Sequence, residues 1–365
     1  MADDSIELTG LAYPVFVGVD GPKRAAGLVD STRCSRALLI YDRRVRHRAL
    51  AYERALRRAG VELLASVAIT AGEAAKSYAC IARLHGIMAR RGADRRTVIV
   101  AIGGGSLTDA AGFAAATYMR GVPWLAAATT LLGMVDASIG GKTAINLDEW
   151  KNLVGAFWDP IAAIADLPSL ATLAAVHRRC GVAEMVKAAI VGDPSLFETM
   201  ERLSPSSRDG AWRPAIVAAA RVKIAVVERD PKETGARAAL NLGHSVAHGL
   251  EAASHQRLPH GDAVAIGLRA EGLISLGRGW WSIAEQSRMT HILKRHGLPV
   301  LTGRIDAGAA IAAMRRDKKR SDGIHRFALP LRVGEIRIGV DVAEAEIERA
   351  LKACERDPAE DASDL

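Results

Sequence analysis

The 365-residue chain is poor in cysteine and in aromatic residues, and each shortage narrows its function. Its four cysteines, Cys34, Cys80, Cys180 and Cys354, lie far apart with no C-x-x-C pair, so no disulfide framework is expected. Aromatics make up 4% of the residues, too few for the stacking surface of a nucleic-acid binder. No apolar run stays free of charge over the ~20 residues that a membrane helix needs. The opening residues, Met1-Ala-Asp-Asp4, are acidic where a signal peptide is basic, and with the dispersed cysteines this predicts a reducing cytoplasm. The net charge of +8 is an excess without a patch: arginines are spread along helical faces, and the best-placed cations sit in glycine turns. A small acidic substrate accounts for part of that excess, and neither nucleic acid nor membrane is expected as a partner.

What is present is organised in two stretches, as a chain of this length allows. From Ala37 to about Asp166, short apolar strands alternate with helical patterns such as 47–59 and 78–91, which predicts a parallel α/β architecture. Beyond Pro168, apolar residues recur at helical spacing over 170–187, 212–228, 241–253, 261–278 and 283–297. The fold class is therefore α/β: an N-terminal parallel-sheet domain over 1–168, a mostly α-helical domain over 169–355, and a frayed acidic tail over 356–365. Trp280-Trp281 is expected to end a helix and pack in a core or interface.

Thr97-Val-Ile-Val-Ala-Ile102 is a β-branched run leading into Gly103-Gly104-Gly105-Ser106-Leu-Thr-Asp109 and then an alanine-rich segment. Strand, glycine turn and helix in this order let the backbone approach a ligand, and the amides of the helix start attract a pyrophosphate. A nucleotide is the natural occupant, although the turn is not G-x-G-x-x-G. Asp42 closes another strand, where it either accepts ribose hydroxyls or caps a helix. Gly72-Glu73-Ala-Ala-Lys76-Ser77 adds a polar cluster on the same side of the sheet, or is a plain helix cap.

Asp136-Ala-Ser-Ile-Gly-Gly-Lys142-Thr-Ala-Ile-Asn146, followed by Lys151-Asn152, sets polar groups among small apolar ones. A lysine behind two glycines is expected to be close-packed and poorly solvated, so that a phosphate or carboxylate must offset its desolvation. In the second half, His244 and His248 are one helical turn apart, so one can bind a metal while the other acts as acid or base, and His260 follows in Leu258-Pro-His260-Gly-Asp262. The third ligand is best sought at Glu184, which shares a helical face with Lys187 in an apolar pattern where a carboxylate needs company. A glutamate and two histidines around one divalent ion leave positions open for a substrate.

These segments, together with Tyr118-Met-Arg120-Gly121, Thr129-Thr130, Arg237 to His248 and Asp317-Lys318-Lys319 to Arg326-Phe-Ala-Leu-Pro330, resemble in order and over most of the chain the 3-dehydroquinate synthases and related sugar-phosphate cyclases. The resemblance implies an NAD-binding α/β domain, a helical domain, and a zinc ion with substrate in the cleft between them. Glu184, His244 and His260 then correspond to the zinc ligands, with Co2+ as an alternative metal. Lys142, Lys151, Asn152, Arg237, Asn241 and one of Lys318 or Lys319 correspond to holders of phosphate and carboxylate, with Arg120 supplied by the neighbouring subunit of a homodimer. Asp136, Lys187, Lys223 and His248 match further active-site positions. Asp42, Glu73, Lys76, Gly103, Gly104, Gly105, Asp109, Thr129 and Thr130 match contacts to NAD.

The activity so implied converts 3-deoxy-D-arabino-heptulosonate 7-phosphate to 3-dehydroquinate and phosphate, a step of the shikimate pathway. A secondary alcohol is oxidised by NAD, phosphate leaves, the hydride returns, and the opened product closes by an aldol reaction. Zinc serves as Lewis acid, the cations absorb developing charge, and a histidine such as His248 relays protons. Several positions depart from the family pattern: Ala128 stands where proline is usual, Asn146-Leu-Asp-Glu-Trp150 where Pro-Leu-Gly is typical, Arg44 for asparagine, and Ser245-Val-Ala247 for Thr-Phe-Gly. They bear on the substrate and leave an aminodehydroquinate synthase, acting on the 4-amino analogue, as the alternative. A metal-dependent polyol dehydrogenase of the glycerol dehydrogenase kind is the alternative from another reaction class.

Overall fold

The computed structural model describes every residue except 1–3, 33, 71, 149, 256, 304, 319–325 and 356–365, and it divides into two compact units, Met1–Ala174 and Ala175–Leu365. The tail over 356–365 and Lys319 lie outside the described residues, as does the side chain of Lys318.

In the first unit the strands are β1 (Ser5–Leu8), β2 (Val15–Gly18), β3 (Arg36–Asp42), β4 (Glu62–Ile69), β5 (Thr97–Gly103), β6 (Trp124–Ala128), β7 (Lys142–Leu147), β8 (Trp150–Phe157) and β9 (Ala162–Asp166). Helices α1 (Gly21–Ser31), α2 (Arg46–Arg58), α3 (Tyr78–Arg90) and α4 (Gly105–Thr117) connect them. Seven strands form one sheet in the order β1-β2-β9-β6-β5-β3-β4, parallel except for β1 against β2. β5 and β6 are buried along their whole length, which is why they read as unbroken apolar runs: both faces of a central parallel strand are covered. From β3 the chain runs outward to β4 and then returns to lay β5 on the other side of β3, so the strand order reverses between β3 and β5. The carboxyl ends of these two strands are Asp42 and Gly103, and such a switch point is where open α/β sheets bind their ligands. β7 and β8 form a separate antiparallel hairpin.

The second unit consists of α5 (Ala175–Gly192), α6 (Pro194–Arg202), α7 (Asp209–Arg229), α8 (His244–Ala253), α9 (His260–Gly277), α10 (Ile283–Arg295), α11 (Ala307–Lys318), the hairpin β10 (Arg326–Arg332) and β11 (Glu335–Asp341), and α12 (Glu344–Ala353). α5 is buried continuously from Cys180 to Val191, as befits a helix enclosed by others rather than one with a single apolar stripe. One core cluster joins Val246 and Leu250 of α8, Ile266 and Ala270 of α9, Phe327 of β10 and Leu351 of α12.

Two expected helices begin later than their apolar spacing suggests. The run 170–187 is interrupted because Pro168 opens a 3-10 turn, Leu167–Thr172, after which Leu173 is extended, and the helix starts only at Ala175. The run 241–253 is split at Gly243, whose φ of 81° ends the 3-10 turn Ala236–Asn241 and places His244 first in α8. Trp280 and Trp281 lie past the end of α9: Trp281 is buried and donates to Gln286 Oε1 at 3.0 Å, while the guanidiniums of Arg278 and Arg337 lie over the Trp280 ring. They pack within the unit, as expected.

Gly141 shows why the glycine pair before β7 is required: φ is 63°, and a Cβ would lie 2.1 Å from Asp159 Oδ1. Gly141→Ala is therefore expected to lower the unfolding free energy by about 1–3 kcal/mol from backbone strain alone, measured by urea denaturation.

Candidate active site

At the switch point, backbone crowding explains the glycines. A Cβ on Gly104 would meet Thr130 Cγ2 at 2.8 Å, and one on Gly105 would meet Ala137 at 2.8 Å. Thr129 N in turn donates to Gly103 O at 2.9 Å, tying the buried Thr129 to the turn. No side chain caps α4, so its first-turn amides remain oriented for an anion. Thr130 Oγ1 accepts from Gly133 N at 3.1 Å and opens the π turn Gly133–Ala137 that carries Asp136, a geometry that periodicity does not reveal. Of the two roles open to Asp42, the structure contains the cap: its carboxylate accepts from Arg44 N at 3.0 Å and pairs with the Arg44 guanidinium at 2.8 Å.

Lys76, 4% exposed, is the hub of this unit. Its ammonium pairs with Asp109 at 2.5 Å and also meets Asn152 Oδ1. Burial raises the Asp109 carboxyl above its usual range; Lys76 opposes the shift, and the charges of Glu73 and Asp136 add to it. Asn146 links the remaining members, donating to Glu73 Oε2 at 2.7 Å and accepting from Asn152 N at 2.9 Å. Asn152 sits at φ 56°, a left-handed conformation that asparagine tolerates. Thus Glu73, Lys76, Asp109 and Asn152 are brought together, and Asn146, not among the expected site residues, completes them. Its only sequence signal is an amide able to donate and accept at the end of a strand.

The expectation for Lys142 needs correction. It is the first residue of β7, and its side chain is exposed; the buried positions of this strand are Thr143 and Ile145. Small neighbours suggested close packing, whereas strand alternation turns the lysine outward. Lys151 and Arg120 are also exposed, the latter at φ 65° between Met119 at 50° and Gly121 at 118°.

In the second unit, three helices each contribute one residue to a single cluster. Glu184, 1% exposed on α5, lies with Oε1 3.2 Å from His260 Nε2 and 3.6 Å from His244 Nε2, and the three candidate ligand atoms fall within 4.8 Å of one another. The remaining imidazole nitrogens are anchored, His244 Nδ1 at 3.2 Å from Leu242 O and His260 Nδ1 at 3.4 Å from Glu251 Oε1. Such outer contacts orient both Nε2 atoms toward the Glu184 carboxylate. Lys187, one turn along α5, forms an ion pair with Glu184. Burial and the nearby Lys187 charge depress His244 to about 3. Burial opposes protonation of His260 too, but hydrogen bonds and charge from Glu184 and Glu251 outweigh it and raise His260 to about 10. The donor set fits a divalent ion of borderline softness with open coordination positions.

Around this cluster, His248 is exposed one turn along α8, its ring 5.7 Å from that of His244. Arg237 is buried: its amide donates to Asp230 Oδ2 at 2.9 Å and its Nη1 to Pro231 O at 2.9 Å. Asn241 is exposed at the end of the same 3-10 turn, and Lys223 is half-buried on α7. Glu251 and Asp230 were absent from the expected site; each acts on a residue that was present.

One chain thus carries a switch-point sheet with a glycine turn, suited to a nucleotide, and a helical unit with a Glu-His-His cluster, suited to a metal ion. The family model for the 3-dehydroquinate synthase N-terminal region matches residues 66–179, and that for its C-terminal region matches 181–320. A 3-dehydroquinate synthase of Symbiobacterium thermophilum is 38% identical over 364 residues, covering 96% of this chain and all of its own. Another, from Gloeobacter violaceus, is 36% identical over 346 residues, covering 93% and 96%. Among solved structures, a 2-epi-5-epi-valiolone synthase from Streptomyces hygroscopicus subsp. jinggangensis, with NAD+ and Zn2+ bound, superposes with a TM-score of 0.86 at 31% identity, covering 96% of this chain and 99% of that one. A 2-deoxy-scyllo-inosose synthase with carbaglucose-6-phosphate, NAD+ and Co2+ reaches 0.85 at 21% identity, covering 96% and 100%, and shows likeness of fold. The chain belongs to the 3-dehydroquinate synthase family. It is an enzyme of that phosphate-eliminating lyase type. Among the described residues, no helix is long and apolar enough to cross a membrane.

Asp230 holds the Arg237 loop through the amides of Thr234, Gly235 and Arg237, and these bonds lower its carboxyl from 3.8 to about 2. A depressed carboxyl contributes stability above its unfolded pKa and loses it as pH falls through the folded one. The melting temperature should therefore drop between about pH 4 and 2, and the drop in Asp230→Ala over that window should be smaller than in the parent.

Proposed function

We propose that this enzyme converts 3-deoxy-D-arabino-heptulosonate 7-phosphate to 3-dehydroquinate and phosphate. The observation that carries the reading is the Glu184–His244–His260 cluster, held by outer contacts in a chain whose curated relatives of similar length are 3-dehydroquinate synthases. Zinc is the metal proposed there, and NAD the nucleotide proposed at the glycine turn; a relative carries both. When bound, they supply Lewis acidity toward a substrate hydroxyl and a reversible hydride acceptor.

The remaining work falls to the chain's own side chains. Glu184, His244 and His260 fix the metal, while Lys187 balances the carboxylate charge next to it. The α4 amides, with Gly103, Gly104 and Gly105, receive the pyrophosphate. Asp42, Glu73, Lys76, Asp109, Thr129 and Thr130 shape the nucleotide's surroundings. Lys142, Lys151, Asn152, Arg237, Asn241 and a lysine from 318–319 hold the phosphate and carboxylate of the substrate and stabilise charge as phosphate leaves. The Lys142 side chain is exposed at the start of β7. His248, exposed beside His244, relays protons with Asp136 and Lys223.

Supplied with NAD and Zn2+, the protein is expected to release phosphate from this substrate faster than from its 4-amino-4-deoxy analogue, with no net accumulation of NADH. Faster release from the analogue would assign the aminated pathway, and sustained NADH production on glycerol without phosphate release would indicate a dehydrogenase. Lys142→Ala should lower kcat/KM by about 10²-fold or more.

We also propose a cytoplasmic homodimer, with Arg120 of one subunit serving the other. The β7–β8 hairpin leaves Leu147, Trp150, Leu153 and Phe157 exposed, with Met119 exposed as well, an apolar surface suited to a second copy. Sedimentation should give twice the chain mass, and Leu153→Asp should shift it toward the monomer. A monomeric parent protein would sink this assignment.

A further inference from the structure

α8 begins without a cap of its own. Gly243, the residue before His244, has no side chain to offer the first-turn amides. Those amides turn to a neighbouring helix instead: Gly243 N donates to Glu271 Oε2 at 2.5 Å and Val246 N to Glu271 Oε1 at 3.3 Å, with the Ser245 amide also bonded to this carboxyl. Glu271 lies on α9 and is 0% exposed. Burial pushes its carboxyl up to about 8 against the pull of these amides, so a solvent-free carboxyl is retained here at a real energetic cost.

One turn earlier on α9, Gly267 allows the backbones to touch. A Cβ there would lie 2.0 Å from Gly243 O, and a Cβ on Gly243 would lie 3.0 Å from Leu268 Cγ. Gly243, Gly267 and Glu271 thus lock the start of α8 against the middle of α9. Both helices deliver a candidate metal ligand from their first residue, His244 and His260. A slip or rotation at this junction moves one imidazole relative to the other.

We propose that Glu271 is a positioning residue of the metal centre: by capping α8 from α9, it fixes His244 relative to His260 and so sets metal affinity. This rests on reading Glu184, His244 and His260 as the metal site. The test measures Zn2+ affinity of the full-length protein by competition with a chromophoric chelator. Glu271→Ala should weaken binding about 10–100-fold, the usual effect of removing an outer partner of a metal ligand. Glu271→Gln, which keeps one acceptor oxygen of the same shape, should recover part of that loss while remaining several-fold weaker than the parent. Arg269→Met serves as control, because Arg269 is also buried on α9 but binds Val300 O and Ala353 O. It should lower the melting temperature and leave Zn2+ affinity within about twofold of the parent.

Unchanged affinity in both Glu271 variants overturns the inference, and so does an equal loss in Arg269→Met. Should Glu271→Ala fail to fold, the Glu271→Gln and Arg269→Met pair decides by the same criterion. A parent protein that does not bind Zn2+, or one whose binding survives Glu184→Gln, would overturn the metal reading itself, an outcome distinct from the first two.

Discussion

A carboxylate kept from water on α5, facing two imidazoles and an ammonium, is the interaction around which the helical unit is arranged. Glu184 cannot stay charged in such a place alone, since desolvation of an unpaired carboxylate costs several kcal/mol. Lys187 answers it from the same helix, and His260 from the start of α9. Burial and the Lys187 charge together hold His244 well below the ordinary imidazole range. Glu251 supplies a second carboxylate to His260, so the cluster holds acidic and basic groups in balance while its geometry is that of a candidate ligand set.

The sheet unit solves a similar problem by another route. Lys76 is nearly as buried as Glu184, but its partners come from three separate segments: Asp109 on α4, Asn152 on β8, and, through Asn146 on β7, Glu73. The network draws the loop after β4, the first turns of α4 and the β7–β8 hairpin toward one another. Asp109 lies on α4 itself, where Glu73 and Asp136 keep it under like-charge pressure.

What was legible in the sequence was local. β3 and β5 announce themselves as short apolar runs ended by Asp42 and a glycine turn, and the spacing of Glu184 with Lys187 shows one helical face. The resemblance to a family carried the metal triad and most anion holders beyond what spacing alone decides. Hidden features were of two kinds. Contacts between residues distant in the chain leave no periodic trace: Glu271 reaching Gly243, Glu251 reaching His260, Asn146 reaching Glu73. Breaks made by one residue inside a continuing apolar pattern are also silent, as Leu173 and Gly243 show. The exposure of Lys142 is silent for a third reason, since small neighbours say how tightly a strand packs but not which of its faces a residue occupies.

The division after Ala174 has an evolutionary corollary. Every side chain of the Lys76 network is encoded before that point, and all three members of the carboxylate–imidazole cluster after it. A recombination break near Ala174 would therefore leave each of the two clusters whole.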